Sequence, residues 1–117
     1  MSHLHLRIDI TPQARLGPGK VRLLELIAEH GSIAAAGRAM GMSYRRAWLL
    51  INDLNRCFRD PLVLSQQGGS RGGGASLTAL GHDVVQRYRA VETAAADVAA
   101  AHLIALRSAL SGDAGDP

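Results

Sequence analysis

The sequence has little of what small β proteins and secreted proteins rely on. Only four of its 117 residues are aromatic, Tyr44, Trp48, Phe58 and Tyr88, 3% of the chain. Strands favour β-branched and aromatic side chains, so a core left to Ala and Leu implies a mostly helical domain. Cys57 is the single cysteine, which excludes a disulfide scaffold and suits a reducing compartment such as the cytoplasm. No apolar run can span a membrane: residues 94–106 are interrupted by Asp97 and His102 and fall short of the ~20 needed. The start, MSHLHLRIDI, lacks the basic opening and unbroken apolar stretch of a signal peptide. These absences imply a soluble cytoplasmic chain of one domain, with 47% apolar residues to build its core.

What charge there is lies unevenly. The net charge is +3. Residues 38–76 carry Arg38, Arg45, Arg46, Arg56, Arg59 and Arg71 against only Asp53 and Asp60. Residues 77–117 are net acidic. A basic middle predicts a polyanionic partner, with a merely solvated basic face as the other reading.

Leu4, Leu6, Ile8 and Ile10 alternate with polar residues, predicting a half-buried strand closed by Thr11-Pro12. Val21, Leu24, Ile27 and Ala28 predict a helix over residues 19–30, stopped by Gly31. Ser32 caps a short second helix through Met40, Gly41 ends it, and Ser43 caps a third helix to about residue 59. The third helix buries Ala47, Ile51, Leu54 and Phe58 and turns Arg45, Leu49, Asn52 and Arg56 the other way. Trp48 flanks the buried face and is expected to pack there or at a subunit contact. Residues 62–67 read as a strand, GGSRGGG (68–74) as a flexible tip and residues 75–77 as the returning strand.

A last helix is expected over residues 78–110, roughly 50 Å long. On it Val84, Tyr88, Val91, Ala95, Val98, His102 and Ala105 follow coiled-coil spacing, which predicts burial against a second copy of the chain. The tail, 111–117, is expected to be disordered.

Helix, glycine turn, helix and glycine-rich hairpin is the order of a winged helix-turn-helix. The fold class is therefore mainly α with a small β component. Residues 1–77 form the strand and winged helix-turn-helix, with the wing at about 62–77, and residues 78–110 form the dimerisation helix. Arg45, Arg46, Leu49 and Asn52 are the candidates for base contacts in a major groove. Ser32, Ser43, Tyr44 and Arg71 are the candidates for phosphate or wing contacts, with Gly68, Gly69, Ser70, Gly72, Gly73 and Gly74 forming the wing tip.

The segments GSIAAAGRAMGMSYRRAWLLINDLN (31–55) and PLVLSQQGGSRGGGASLTALG (61–81) resemble the N-terminal DNA-binding domain of the ModE family, molybdate-responsive regulators related to the LysR type. The resemblance implies a homodimer on a palindromic operator, with recognition helices in the major groove and wings beside it. It departs at Arg46 and Leu49, where members often have a small polar residue and an acid, so the resemblance does not carry over an operator sequence. The molybdate-binding domains that the family carries after the long helix have no counterpart here. A single-domain member, or one served by a separate effector-sensing chain, is expected.

Other readings of the same residues are weaker. GGSRGGG lacks the Lys-Ser/Thr ending of a P-loop. His3 and His5 share a strand face, but no further ligand at metal-site spacing joins them, so neither a metal nor a cofactor is expected. Cys57 is read as a filler rather than a redox sensor, and His102 as a tolerated seam position rather than a pH switch. No nucleophile and base are arranged for catalysis, so no enzyme is expected. An architectural DNA binder and a winged-helix module that grips protein remain as rival functions.

Overall fold

A computed structural model describes residues 3–66 and 73–112. The alternation of residues 4–10 gives less strand than expected. Only β1 (Ile8–Asp9) pairs, antiparallel, with β2 (Arg15–Leu16), in the register Ile8↔Leu16 and Asp9↔Arg15. Thr11 closes the hairpin: its hydroxyl accepts from the backbone N–H groups of Gln13 and Ala14 at 3.2 and 3.0 Å. Before β1 a side chain replaces the missing strand partner, because the Tyr88 hydroxyl donates to the Leu6 carbonyl at 2.6 Å. Burial raises the Tyr88 pKa, which keeps that donor protonated.

Helix α1 (Pro18–His30) begins with proline in its first turn, where an N–H has no helical partner to lose. It stops at Gly31 in the left-handed conformation (φ 74°), as expected. Val21, Leu23, Leu24, Leu26 and Ile27 are all buried, so α1 runs through the middle of the core. Helix α2 (Ile33–Ala39) and helix α3 (Tyr44–Cys57) are capped by Ser32 and Ser43, whose hydroxyls accept from the Ala35 and Arg46 N–H groups at 3.0 and 3.1 Å. Helix α3 ends at Cys57 rather than near 59, because Phe58 turns extended (φ −112°, ψ 162°) and packs half-buried against the core.

Strands β3 (Val63–Gln66) and β4 (Gly74–Leu77) form an antiparallel ladder from Val63↔Leu77 to Gln66↔Gly74. Gly74 is thus a strand residue, not part of the tip. Gly68, Gly69, Ser70, Arg71 and Gly72 lie outside the described residues, as does the tail from 113 to 117. Helix α4 (Ala79–Ser108) follows, capped by Thr78. At 1.5 Å per residue its 30 residues extend about 45 Å in a molecule 60 Å long.

The expected seam on α4 divides in two. Val84 and Tyr88 are 8% and 1% exposed and pack in the core of their own chain, rather than standing open along the seam. Burying them inside the domain anchors the helix. Val91 and Val98 are 47% and 71% exposed, and Ala95 is half-buried.

Candidate nucleic-acid interface

Two small residues set how closely α2 and α3 approach. Ala36 is fully buried, and a Cβ added to Gly37 would stand 3.0 Å from the Ala47 Cβ. The turn between the helices is held by the Met42 N–H on the Gly37 carbonyl at 2.9 Å, with Gly41 at φ 71°. Ala47, Ile51 and Leu54 seat α3 on the core.

That seating turns the opposite side of α3 to solvent. Arg45, Arg46, Leu49, Asn52, Asp53 and Arg56 line one open groove along it. Asn52 is half-buried and the other five are exposed. Among the described residues no carboxylate lies within ion-pair distance of Arg45, Arg46 or Arg56. Four base-contact candidates therefore share one surface, joined by Asp53 and Arg56. Arg56 shows in the sequence, seven residues after Leu49 on the same face. Asp53 does not, because it sits one step round the helix from Asn52.

Ser43 sits exposed at the end of this groove and Ser32 half-buried at the start of α2. Each hydroxyl already serves as a cap acceptor, so what it can still offer a phosphate is its proton. Tyr44 and Trp48 lie on the flank of α3 that also carries Asn55. Trp48 is 43% exposed, so within its own chain it is only partly packed.

Asn55 ties the recognition helix to the wing. Its Oδ1 accepts from the backbone N–H groups of Leu62 and Val63 at 2.8 and 3.1 Å, and its Nδ2 donates to the Val63 carbonyl at 3.1 Å. The far side of the wing is fixed by the Ala75 N–H on the Gly31 carbonyl at 2.8 Å. Thr78 completes the frame: its hydroxyl donates to the Pro61 carbonyl at 2.8 Å while accepting from Gly81 N–H at 3.0 Å. The wing's base is thus held at a set angle to α3.

Residues 19–82 match the family described as bacterial regulatory helix-turn-helix protein, lysR family. The chain belongs to that family. Among LysR-type and ModE relatives, the molybdenum-pterin-binding protein MopA of Rhodobacter capsulatus is 42% identical over 80 residues, 68% of this chain and 30% of MopA. The DNA-binding transcriptional dual regulator ModE of Escherichia coli (strain K12) is 41% identical over 71 residues, 61% of this chain and 27% of ModE. The chain therefore spans about 30% of the length of the relatives it matches. The LysR-type fold is also that of the CbnR DNA-binding domain in its crystal structure with DNA, at a TM-score of 0.57 and 22% identity. That match covers 75% of this chain and 95% of the other. The ModE likeness and the winged-helix class expected from the sequence both hold.

Proposed function

We propose that this domain binds duplex DNA sequence-specifically as a homodimer and regulates transcription in the cytoplasm. The observation that carries the reading is the exposed face of α3, where three arginines with no carboxylate partner among the described residues flank Asn52 and Leu49 on a helix seated by Ala47, Ile51 and Leu54. Arginine can grip guanine at two points and asparagine can do the same with adenine, while leucine packs on a thymine methyl. Arg45, Arg46, Leu49 and Asn52 are assigned to bases. Ser32, Ser43, Tyr44 and Arg71 are assigned to the backbone and the wing. Val91, Ala95 and Val98, the solvent-facing part of the α4 seam, are assigned to the dimer. Molybdate sensing of the ModE kind is assigned to a further segment or a separate effector-sensing chain, not to this domain.

If each protomer neutralises about three to four phosphates, log K against log salt should slope roughly −5 to −7 for the dimer. The decisive experiment is selection from a random duplex pool at about 0.15 M salt. Enrichment of a palindrome with half-sites about one helical turn apart supports the reading. Binding without enrichment replaces it with an architectural role, and no salt-dependent binding at all replaces it with a protein-binding module.

A further inference from the structure

A second basic surface lies beside the recognition helix, built partly by residues 7–17, which precede the matched family segment, and partly by residues within it. The β1–β2 hairpin, the start of α1 and the edge of α3 enclose an open cleft. Arg7, Arg15, Lys20 and Arg46 line it, over a floor that includes Met42 and Leu50, and among the described residues no acidic side chain lines it. We propose that this cleft grips backbone phosphates of the duplex next to the site read by α3, extending the contact beyond the helix-turn-helix. The inference rests on the DNA-binding reading above.

Four cations in one cleft repel each other, and the local structure shows how they are held. Asp9 accepts from Arg7 at 3.1 Å and stands 3.8 Å from Arg15, so one carboxylate steadies two guanidiniums and leaves a surplus of three positive charges. Lys20 donates to the Arg15 carbonyl at 3.1 Å, tying α1 to the hairpin with protons to spare. The Arg7 stem runs 3.8 Å from where a Gly17 Cβ would stand. Gly17 begins α1 with no side-chain cap, so the positive end of the helix also faces the cleft.

A linear polyanion fits this arrangement better than a compact ion does. The four cations come from four separate segments, and the cleft is open. Arg46 lines both this cleft and the groove of α3, so the two surfaces are continuous. A duplex backbone lying along α3 would pass from one to the other, and its charge would relieve the repulsion.

The test compares the salt dependence of duplex binding for the unaltered protein, a double Arg7→Ala/Lys20→Ala variant, and a charge-keeping Arg7→Lys/Lys20→Arg variant. The probes are the duplex recovered by selection and a scrambled one, and thermal melts verify that each variant is folded. Each phosphate contact removed should flatten the slope by about 0.9, hence by about 3 to 4 for a doubly substituted dimer. Affinity should fall equally on both duplexes, and the charge-keeping variant should keep the original slope. An unchanged slope in the alanine variant overturns the proposal and leaves DNA binding standing. So does a loss confined to the selected duplex, which would mean base readout. If the unaltered protein binds neither duplex at any salt, the DNA-binding reading falls first and this inference with it.

Discussion

Asn55 and Val63 exchange a pair of hydrogen bonds, the side-chain amide of one reading the backbone N–H and carbonyl of the other at 3.1 Å each. The amide thus acts as a strand edge, and β3 pairs with β4 on one side and with the recognition helix on the other. Leu62 and Val63 are buried, so without Asn55 their N–H groups would lose both this partner and water. Asn55→Ala should therefore cost about 2–3 kcal/mol in urea unfolding, at roughly 1 kcal/mol per hydrogen bond. Asn55→Asp keeps both acceptances and should cost less.

Gly81 is required for a different reason. A Cβ there would run into the carbonyl oxygen of Leu62, and the Leu77 Cβ lies 3.3 Å away on the other side. Neither is the far end of a flexible chain, so the start of α4 would have to move off the wing. Gly81→Ala should destabilise by about 1–3 kcal/mol despite its better helix propensity. Gly19→Ala, with nothing within 4 Å of the added atom, should be neutral or slightly stabilising.

These two residues show where reading the sequence stops. Gly31, Ser32, Gly41 and Ser43 were legible because a helix end is a local event with a local residue preference. The buried stripe of α3 was legible because its period is local too. Asn55 and Gly81 act on partners brought close only by the fold, so neither spacing nor composition marks them. The same reason hides β2 and the four-cation cleft. It also bears on the seam on α4: spacing alone cannot say whether Val84 and Tyr88 meet their own chain or another.

Acid should weaken the junction of α1 and α4. Arg89 binds Glu25 at 2.8 Å and Glu92 at 2.7 Å. Its hydrogen bond holds the Glu25 pKa below the ordinary carboxylate value, partial burial opposes the shift, and the nearby charges of Arg89 and Arg22 add to it. The unfolded chain then binds the proton first, so this contribution is complete above the ordinary carboxylate range and is lost as pH falls through and below it. Unfolding followed from pH 7 to 3 should show an acid limb that Glu25→Gln flattens. An equally steep limb in that variant would place the acid sensitivity elsewhere. Arg89→Met should cost about 1–2 kcal/mol at neutral pH, a figure reduced for the partial exposure of all three side chains.

Base readers and phosphate binders on α3 should separate by what their loss does to specificity. Arg45→Ala should relax discrimination at one defined base pair by about 1–3 kcal/mol, and Asn52→Ala should do so at another. Competition binding against single-position operator variants measures this directly. A loss equal on every duplex would make Arg45 a backbone contact.

The dimer can be tested on the part of α4 that its own domain leaves bare. Beyond Tyr88 no residue of the helix is fully buried, yet Val91, Val98, Ile104 and Leu106 are exposed. Fully burying one such side chain is worth roughly 1.5–3 kcal/mol, which a second copy of the helix would recover along the Val91–Ala95–Val98 stripe. Small residues there let two helix backbones approach closely. A charge placed on the stripe would be forced against its own copy across a two-fold axis, so Val91→Glu/Val98→Glu should yield monomers in sedimentation. Val98 is 71% exposed, while Val91, 47% exposed, borders an apolar hollow with Leu16, Phe58 and Tyr88, so the melting transition of the helix-turn-helix should survive Val98→Glu alone and be lowered somewhat in the double variant. A monomer would lose affinity for a palindrome far more than for an isolated half-site, since the second half-site is then no longer held at high effective concentration. Unaltered protein that sediments as a monomer at every concentration would instead remove the stripe as a self-association surface.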